Sequence, residues 1–277
     1  MFEPFQFAFF RHGVLAAVLA GGLCGLIGVY IVLRSMSYIG HGLSHAIFGG
    51  AVVSYVIGVN FYLGAGLWGF GAALLINQVT RRTRINADAV IGIITTASFA
   101  VGVAIISRFR SFTRSFDAAL FGNILGVERA DLLVIGAVAI MVAGFVLVCY
   151  RGLLFNTFSS ETAQVYGIKT GWLDTLFALM LAAVLIATMQ IMGVTLIAAA
   201  LVIPPTTARL LTSSFHRLMI AATLIGAGTG FVGMLASYHF DLASGATIVL
   251  SQATCFCLAL AAWALRGRRG RFGTHVH

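Results

Sequence analysis

Charge is what this sequence has least of. Only 9% of its 277 residues are charged, and 8 acidic residues stand against 17 lysines and arginines. With 60% hydrophobic residues and a mean hydropathy of +1.01, the chain cannot be a water-soluble domain of this size and reads as a polytopic membrane protein. The formal charge of +9 does not point to nucleic acid, because the arginines sit in short clusters between apolar runs, where they fix membrane orientation. A phosphate-cradling loop is also missing. The only lysine, Lys169, is followed by Thr170 but preceded by Ile168, whereas a P-loop needs G-K-[ST], so the chain is not expected to be an enzyme that hydrolyses ATP itself. Cysteine is sparse too: Cys24, Cys149, Cys255 and Cys257 lie in apolar runs and read as small packing residues, not a disulfide or metal framework. No cleavable leader is expected, and no short-period repeat marks a solenoid.

Apolar runs fill the chain. At about 20 residues per crossing, eight or nine spans fit, forming a single all-α transmembrane domain over residues 1–277. They are expected at about 13–33, 36–59, 61–79, 89–106, 131–150, 172–190, 193–211, 218–238 and 246–265. Gly21, Gly22, Gly25 and Gly28 in the first would let neighbouring helices approach closely. The sixth and seventh are close enough to require a tight hairpin, with Gly193 at its turn. Residues 107–130 hold a patch too short to span, expected as a half-buried outer segment. Nine spans with the N-terminus outside place 12 basic residues inside and 5 outside, counted along the chain, the asymmetry the positive-inside rule requires.

The motif that carries chemistry is Gly40-His41-Gly42-Leu43-Ser44-His45-Ala46. Residues i and i+4 share a helix face, so His41 and His45 could offer two neutral imidazoles to one transition-metal ion. The alternative is a pair of packing histidines satisfied by nearby carbonyls; at membrane depth, where ionisable groups are rare and usually line a pathway, the metal reading is favoured. The spacing matches H-E-x-x-H, but Gly42 occupies the place of the general base, so a metalloprotease is not expected. Ser160, Glu161, Ala163, Gln164 and Gly167 form a short capped helix between two spans. Such a helix cannot persist alone in water and must dock on its own protein or in a partner. Pro204 and Pro205 lie inside an apolar run as a kink or, with Gly193, a gating hinge. His239 and Asp241 are either a solvated loop or part of an outer metal vestibule. Gln190 and Met192 read as packing residues, and His275 and His277 as a tail with at most a weak metal-holding role.

Taken together these segments resemble the ABC-3 permeases of bacterial importers for zinc, manganese and iron. Gly40–Ala46 is similar to that family's G-D-A-L-S-H-A, Asp88–Ile93 to D-x-x-I-G-I, and Leu120–Leu125 to L-F-G-x-I-L. Ala163–Gly167 is similar to its cytoplasmic A-x-x-x-G, and Ser237–Gly245 to S-Y-x-x-D-x-P-S-G. The resemblance implies a type II ABC importer-like fold and a homodimer or pseudo-dimer of permeases around a central path, in the bacterial cytoplasmic membrane. It further implies two cytoplasmic ATPase subunits, an extracytoplasmic metal-binding protein and surrounding membrane lipid as partners. No cofactor is expected to stay bound; zinc or manganese is the cargo. By this likeness Ser160–Gly167 is the coupling element and His45 a metal-contacting residue. Two positions depart from the pattern, His41 for aspartate and Ala243 for proline, and an imidazole in place of a carboxylate leans the site toward zinc. A stand-alone secondary carrier and a permease for a metal chelate are the competing readings.

Overall fold

The computed structural model describes residues 3–83, 85–109, 122 and 126–271. Every regular element among them is helical. After a short 3-10 turn, the chain forms α1 (Ala8–Leu33), α2 (Ser37–Val56), α3 (Phe61–Arg82), α4 (Ala87–Phe109) and α5 (Arg129–Val148). Two short helices follow, α6 (Tyr150–Phe158) and α7 (Ser160–Val165), and then α8 (Thr170–Met192), α9 (Ile197–Leu211), α10 (Phe215–Phe240) and α11 (Ser244–Arg271).

Seven of these helices are long and apolar enough to cross a membrane. With α2 and α9 added, nine membrane-depth helices stand among the described residues. α2 falls outside the seven because His41, His45 and its serines and glycines dilute an otherwise apolar 20-residue run. α9, at 15 residues, rises only about 22 Å and is shorter than a bilayer core. The expected hairpin is thereby corrected. Its connection is tight, with Gly193 at φ 77° closing α8, but α9 starts four residues later than expected. It packs chiefly on α1, α10 and α11 and does not run back along α8.

α1 and α8 form the centre, 78% and 72% buried over their apolar windows. The small residues of α1 explain how α10 and α9 reach it. A side chain built at Gly21 would collide with the Gly226 carbonyl, and one at Gly226 with the Gly21 carbonyl; Gly25 meets the Ala222 carbonyl and Gly230 that of Ala17. The seam is reciprocal, small residues every fourth position on both helices, which is the close approach that drives association in lipid where hydrophobic burial offers little.

Prolines do not break α9. It stays helical through Pro204 and Pro205, and Thr206 and Thr207 donate back to the carbonyls of Val202 and Ile203, both at 2.7 Å. Pro205 has no N–H for the Leu201 carbonyl, which instead abuts Gly28 of α1, where only a glycine admits it.

Side-chain contacts sort the helix ends into two sets. The end of α1, the end of α3, α6–α7 and the start of α8 meet through Arg34, Thr157, Asp174 and the Arg81 guanidinium lying on Gly171. At the other end, the Tyr62 hydroxyl donates to Asp131 at 2.5 Å, and Phe10 rests on Tyr238 with ring centroids 5.1 Å apart. The arginines of the first set therefore cluster at one end, as the spacing predicted.

Candidate metal-contacting face and coupling segment

α2 is held on three sides. Gly40 faces the Leu201 side chain of α9, Gly42 faces Ile91 and Thr95 of α4, Gly49 meets the Ser98 carbonyl of α4, and Gly50 takes Trp68 of α3. The buried Ser44 hydroxyl lies 2.8 Å from the His41 carbonyl and 3.2 Å from that of Val194, tying the helix to the α8–α9 turn. What these contacts leave uncovered is the strip bearing Tyr38, His41 and His45: His41 is exposed and His45 half-buried.

The two imidazoles face each other with ring centroids 4.4 Å apart and planes 47° apart. Nδ1 of His45 lies 3.0 Å from the His41 carbonyl oxygen. A carbonyl can only accept, so Nδ1 of the neutral ring carries the proton and Nε2 keeps its lone pair, the arrangement a metal-ligating histidine needs. Phe99 of α4 stands 5.5 Å from the His45 ring on one side and Tyr38 is 5.9 Å from His41 on the other, so the pair is bordered by aromatic rings. One nitrogen is satisfied as a packing histidine's would be; the other has no hydrogen-bond partner among the described residues.

Among the described residues no group of three or more His, Cys, Asp or Glu side chains gathers at one point. His239 and Asp241 are therefore not brought to the histidine pair. His239 is exposed at the end of α10, with Nδ1 2.9 Å from the Leu235 carbonyl. Asp241 adopts the left-handed conformation, φ 51°, as the residue that closes α10, and the Ser237 hydroxyl donates across the turn to the Leu242 carbonyl at 2.7 Å. Asp tolerates that conformation better than most residues, so its geometry is that of a helix stop. Met192 is fully buried. His275 and His277 lie outside the described residues, as does most of the Leu120–Leu125 segment. Of that segment Gly122, at φ 82°, is described and packs on the backbone of Ile191 and Met192.

The candidate coupling segment takes the shape its residues require. Ser159 caps α7 by accepting from the Thr162 N–H at 3.1 Å, Glu161 occupies the first turn, and Gly167 turns the chain at φ 76°. Ala163 is fully buried against the helices beneath, while Ser160, Glu161 and Gln164 face outward. Gln164 reaches Thr170 at 3.4 Å. Phe158, Val165, Tyr166 and Trp172 are all exposed, from 64% to 86%.

A network that the sequence did not disclose lies under this segment. Arg34 Nη1 pairs with Asp174 at 2.9 Å and Nε donates to Thr157 at 3.3 Å, while Asn156 donates to the same Asp174 oxygen at 2.7 Å. The guanidinium also stands 4.9 Å from the Phe177 ring centre. Asp174, an acid two residues inside an apolar run, was the available signal. It links α6, the base of the candidate coupling segment, to the ends of α1 and α8.

Among the described residues the arrangement is all-helical, with seven helices long and apolar enough to cross a membrane, a histidine strip on α2 and an exposed short helix at the basic end, the form of a membrane permease. Residues 6–263 match the model of the ABC 3 transport family, and the chain belongs to that family. It is 37% identical over 254 residues to the manganese transport system membrane protein MntC of Halalkalibacterium halodurans, covering 92% of this chain and 87% of the relative. It is 31% identical over 261 residues to a probable iron transport system membrane protein of Haemophilus influenzae, covering 94% and 96%. Among solved structures it resembles PsaBC from Streptococcus pneumoniae in complex with Fab, with a TM-score of 0.82 and 30% identity, over 92% of this chain and 91% of that one.

Proposed function

We propose that this chain is the permease subunit of an ATP-driven importer for a divalent transition-metal ion, manganese or zinc. The observation that carries the reading is the His41–His45 strip, left open between helices on three sides, with a free Nε2 on His45. Two imidazoles do not complete a site, so the remaining ligands come from water, the delivery protein or the second copy of the chain across a dimer interface. ATP is hydrolysed in cytoplasmic partner subunits that seat α7, and an extracytoplasmic binding protein delivers the ion. The basic end faces the cytoplasm of a bacterial cell and the N-terminus lies outside, in keeping with the positive-inside rule. Manganese is supported by the names of the relatives, zinc by His41, since a second imidazole in place of a carboxylate favours the softer ion.

Reconstitution with the ATPase subunits in vesicles tests the reading. Uptake of manganese or zinc is expected to need ATP and to fall about 10- to 100-fold in His45→Ala, with the same elution profile in detergent. In His41→Asp the manganese-to-zinc uptake ratio is expected to rise. Uptake that persists without the ATPase and collapses with the proton gradient would replace the proposal by a secondary carrier.

A further inference from the structure

At the basic end, on the face of α2 away from the histidines, lies a cavity of about 250 Å³ enclosed by α2, α3, α4, α6–α7 and α8. Its wall is divided. Ile39, Leu43, Ile76 and Ile91 are apolar, whereas Arg34, Thr80 and Arg81 are polar. Two of the polar groups are incompletely satisfied: Arg34 Nη2 and Thr80 Oγ1 are buried with no hydrogen-bond partner among the described residues, and the Arg34 side chain is only 10% exposed. Both are donors, and buried donors left unpaired are costly. Asp174 already balances the charge of Arg34, so the guanidinium of Arg81 leaves the polar wall with a net positive charge.

Arg81 and Asn77 also line a second, more open groove between α3 and α8, bordered by Leu74 and Arg82. Cavity and groove thus meet at one arginine. The groove is open where apolar helix gives way to the Arg81–Arg82 pair that ends α3, and basic residues at the end of an apolar span belong at the headgroup level. A ligand with negatively charged oxygens and an attached apolar chain would meet arginine and hydroxyl donors at one end and Leu74 with the membrane at the other. Basic pockets between transmembrane helices recognise such headgroups.

We infer that this junction binds the phosphate of an anionic membrane phospholipid, with Arg81 and Arg82 holding it and the orphan donors of Arg34 and Thr80 facing it from behind. Because Arg34 and Asp174 join α1, α6 and α8, the bound lipid braces the base of the coupling segment. The inference requires only that the chain is embedded in a membrane, not that it imports metal.

The full-length protein in nanodiscs provides the test. Phosphatidylglycerol is expected to be retained through detergent exchange on the order of tenfold more strongly than phosphatidylcholine, and to raise the thermal midpoint. Arg81→Gln with Arg82→Gln should abolish that preference; Arg81→Lys with Arg82→Lys should restore most of it, which separates lost charge from lost packing over Gly171. Arg217→Gln, a basic residue at the start of α10, should leave it intact. Equal retention of both lipids, or equal loss in Arg217→Gln, would overturn the inference. So would equal protection by millimolar inorganic phosphate, which would assign the donors to a free anion. Protection by the ATPase subunit alone, without lipid dependence, would likewise overturn it and assign the cavity to an acidic side chain of that partner.

Discussion

The α1–α10 seam and the histidine strip of α2 are both built from small residues, yet glycine serves opposite ends in them. On α1, Gly21 and Gly25 bring another backbone into contact and close the surface. On α2, Gly40, Gly42, Gly49 and Gly50 bring three neighbours so near that the one remaining strip, His41 and His45, is displayed. Close packing in the first region makes a scaffold; in the second it frames an opening. The burial of the helices follows the same division. α1 is 78% buried over its window, whereas α4 and α11 are 22% and 17% buried, leaving their outer faces to lipid or to other chains.

This division can be broken at its firm side first. Gly226→Leu drives a side chain into the Gly21 carbonyl, and backbone cannot move aside as a side chain can. Overpacking of this kind costs about 1–3 kcal/mol or more, and the expected outcome is loss of the monodisperse peak in detergent chromatography. Gly228→Leu, at a position with open space around it, should fold. Equal behaviour of the two would remove the seam as the determinant.

A smaller loss is expected at the basic end. Arg34→Gln leaves Asp174 without its cation; since Asp174 is one-third exposed, the cost should be about 2 kcal/mol, below that of a fully buried pair. Thermal unfolding reads the stability. In the reconstituted transporter, ATP hydrolysis should continue while uptake falls, because the residue joins the coupling segment to the core. Parallel loss of both activities would make it a general stability residue.

The smallest effect is expected in α11. Gln252 is fully buried and neither of its amide atoms has a partner among the described residues. Gln252→Leu should change stability by no more than about 1 kcal/mol, and in the favourable direction, because an unpaired buried amide is removed. A large destabilisation in thermal unfolding would show that the amide has a partner in the assembled complex.

Much of this was legible beforehand because lipid imposes strong local rules. The apolar runs gave the helices to within a few residues, and the i, i+4 spacing of His41 and His45 placed both rings on one face. Glu161 and Gly167 marked the neighbourhood of α7, and Gly193 the end of α8, since first-turn acids and positive φ are local requirements. Less legible was α9. Its apolar run extends to Gly193, but the turn through Leu196 and packing against α1 set a later start. Arg34–Asp174 was invisible as a pair, because 140 residues separate partners that carry no mark of one another.

The sequence by itself determined that the chain is helical and crosses a membrane, and which residues share a face along each helix, because backbone hydrogen bonding and hydropathy act over one turn or one span. Only the tertiary structure decided which faces are closed. It put Gly226 opposite Gly21, kept His239 and Asp241 away from the histidine pair, and set two orphan donors beside an arginine-lined cavity. Those outcomes depend on how distant helices fit together, and shape complementarity between them is not a property of any one stretch of chain.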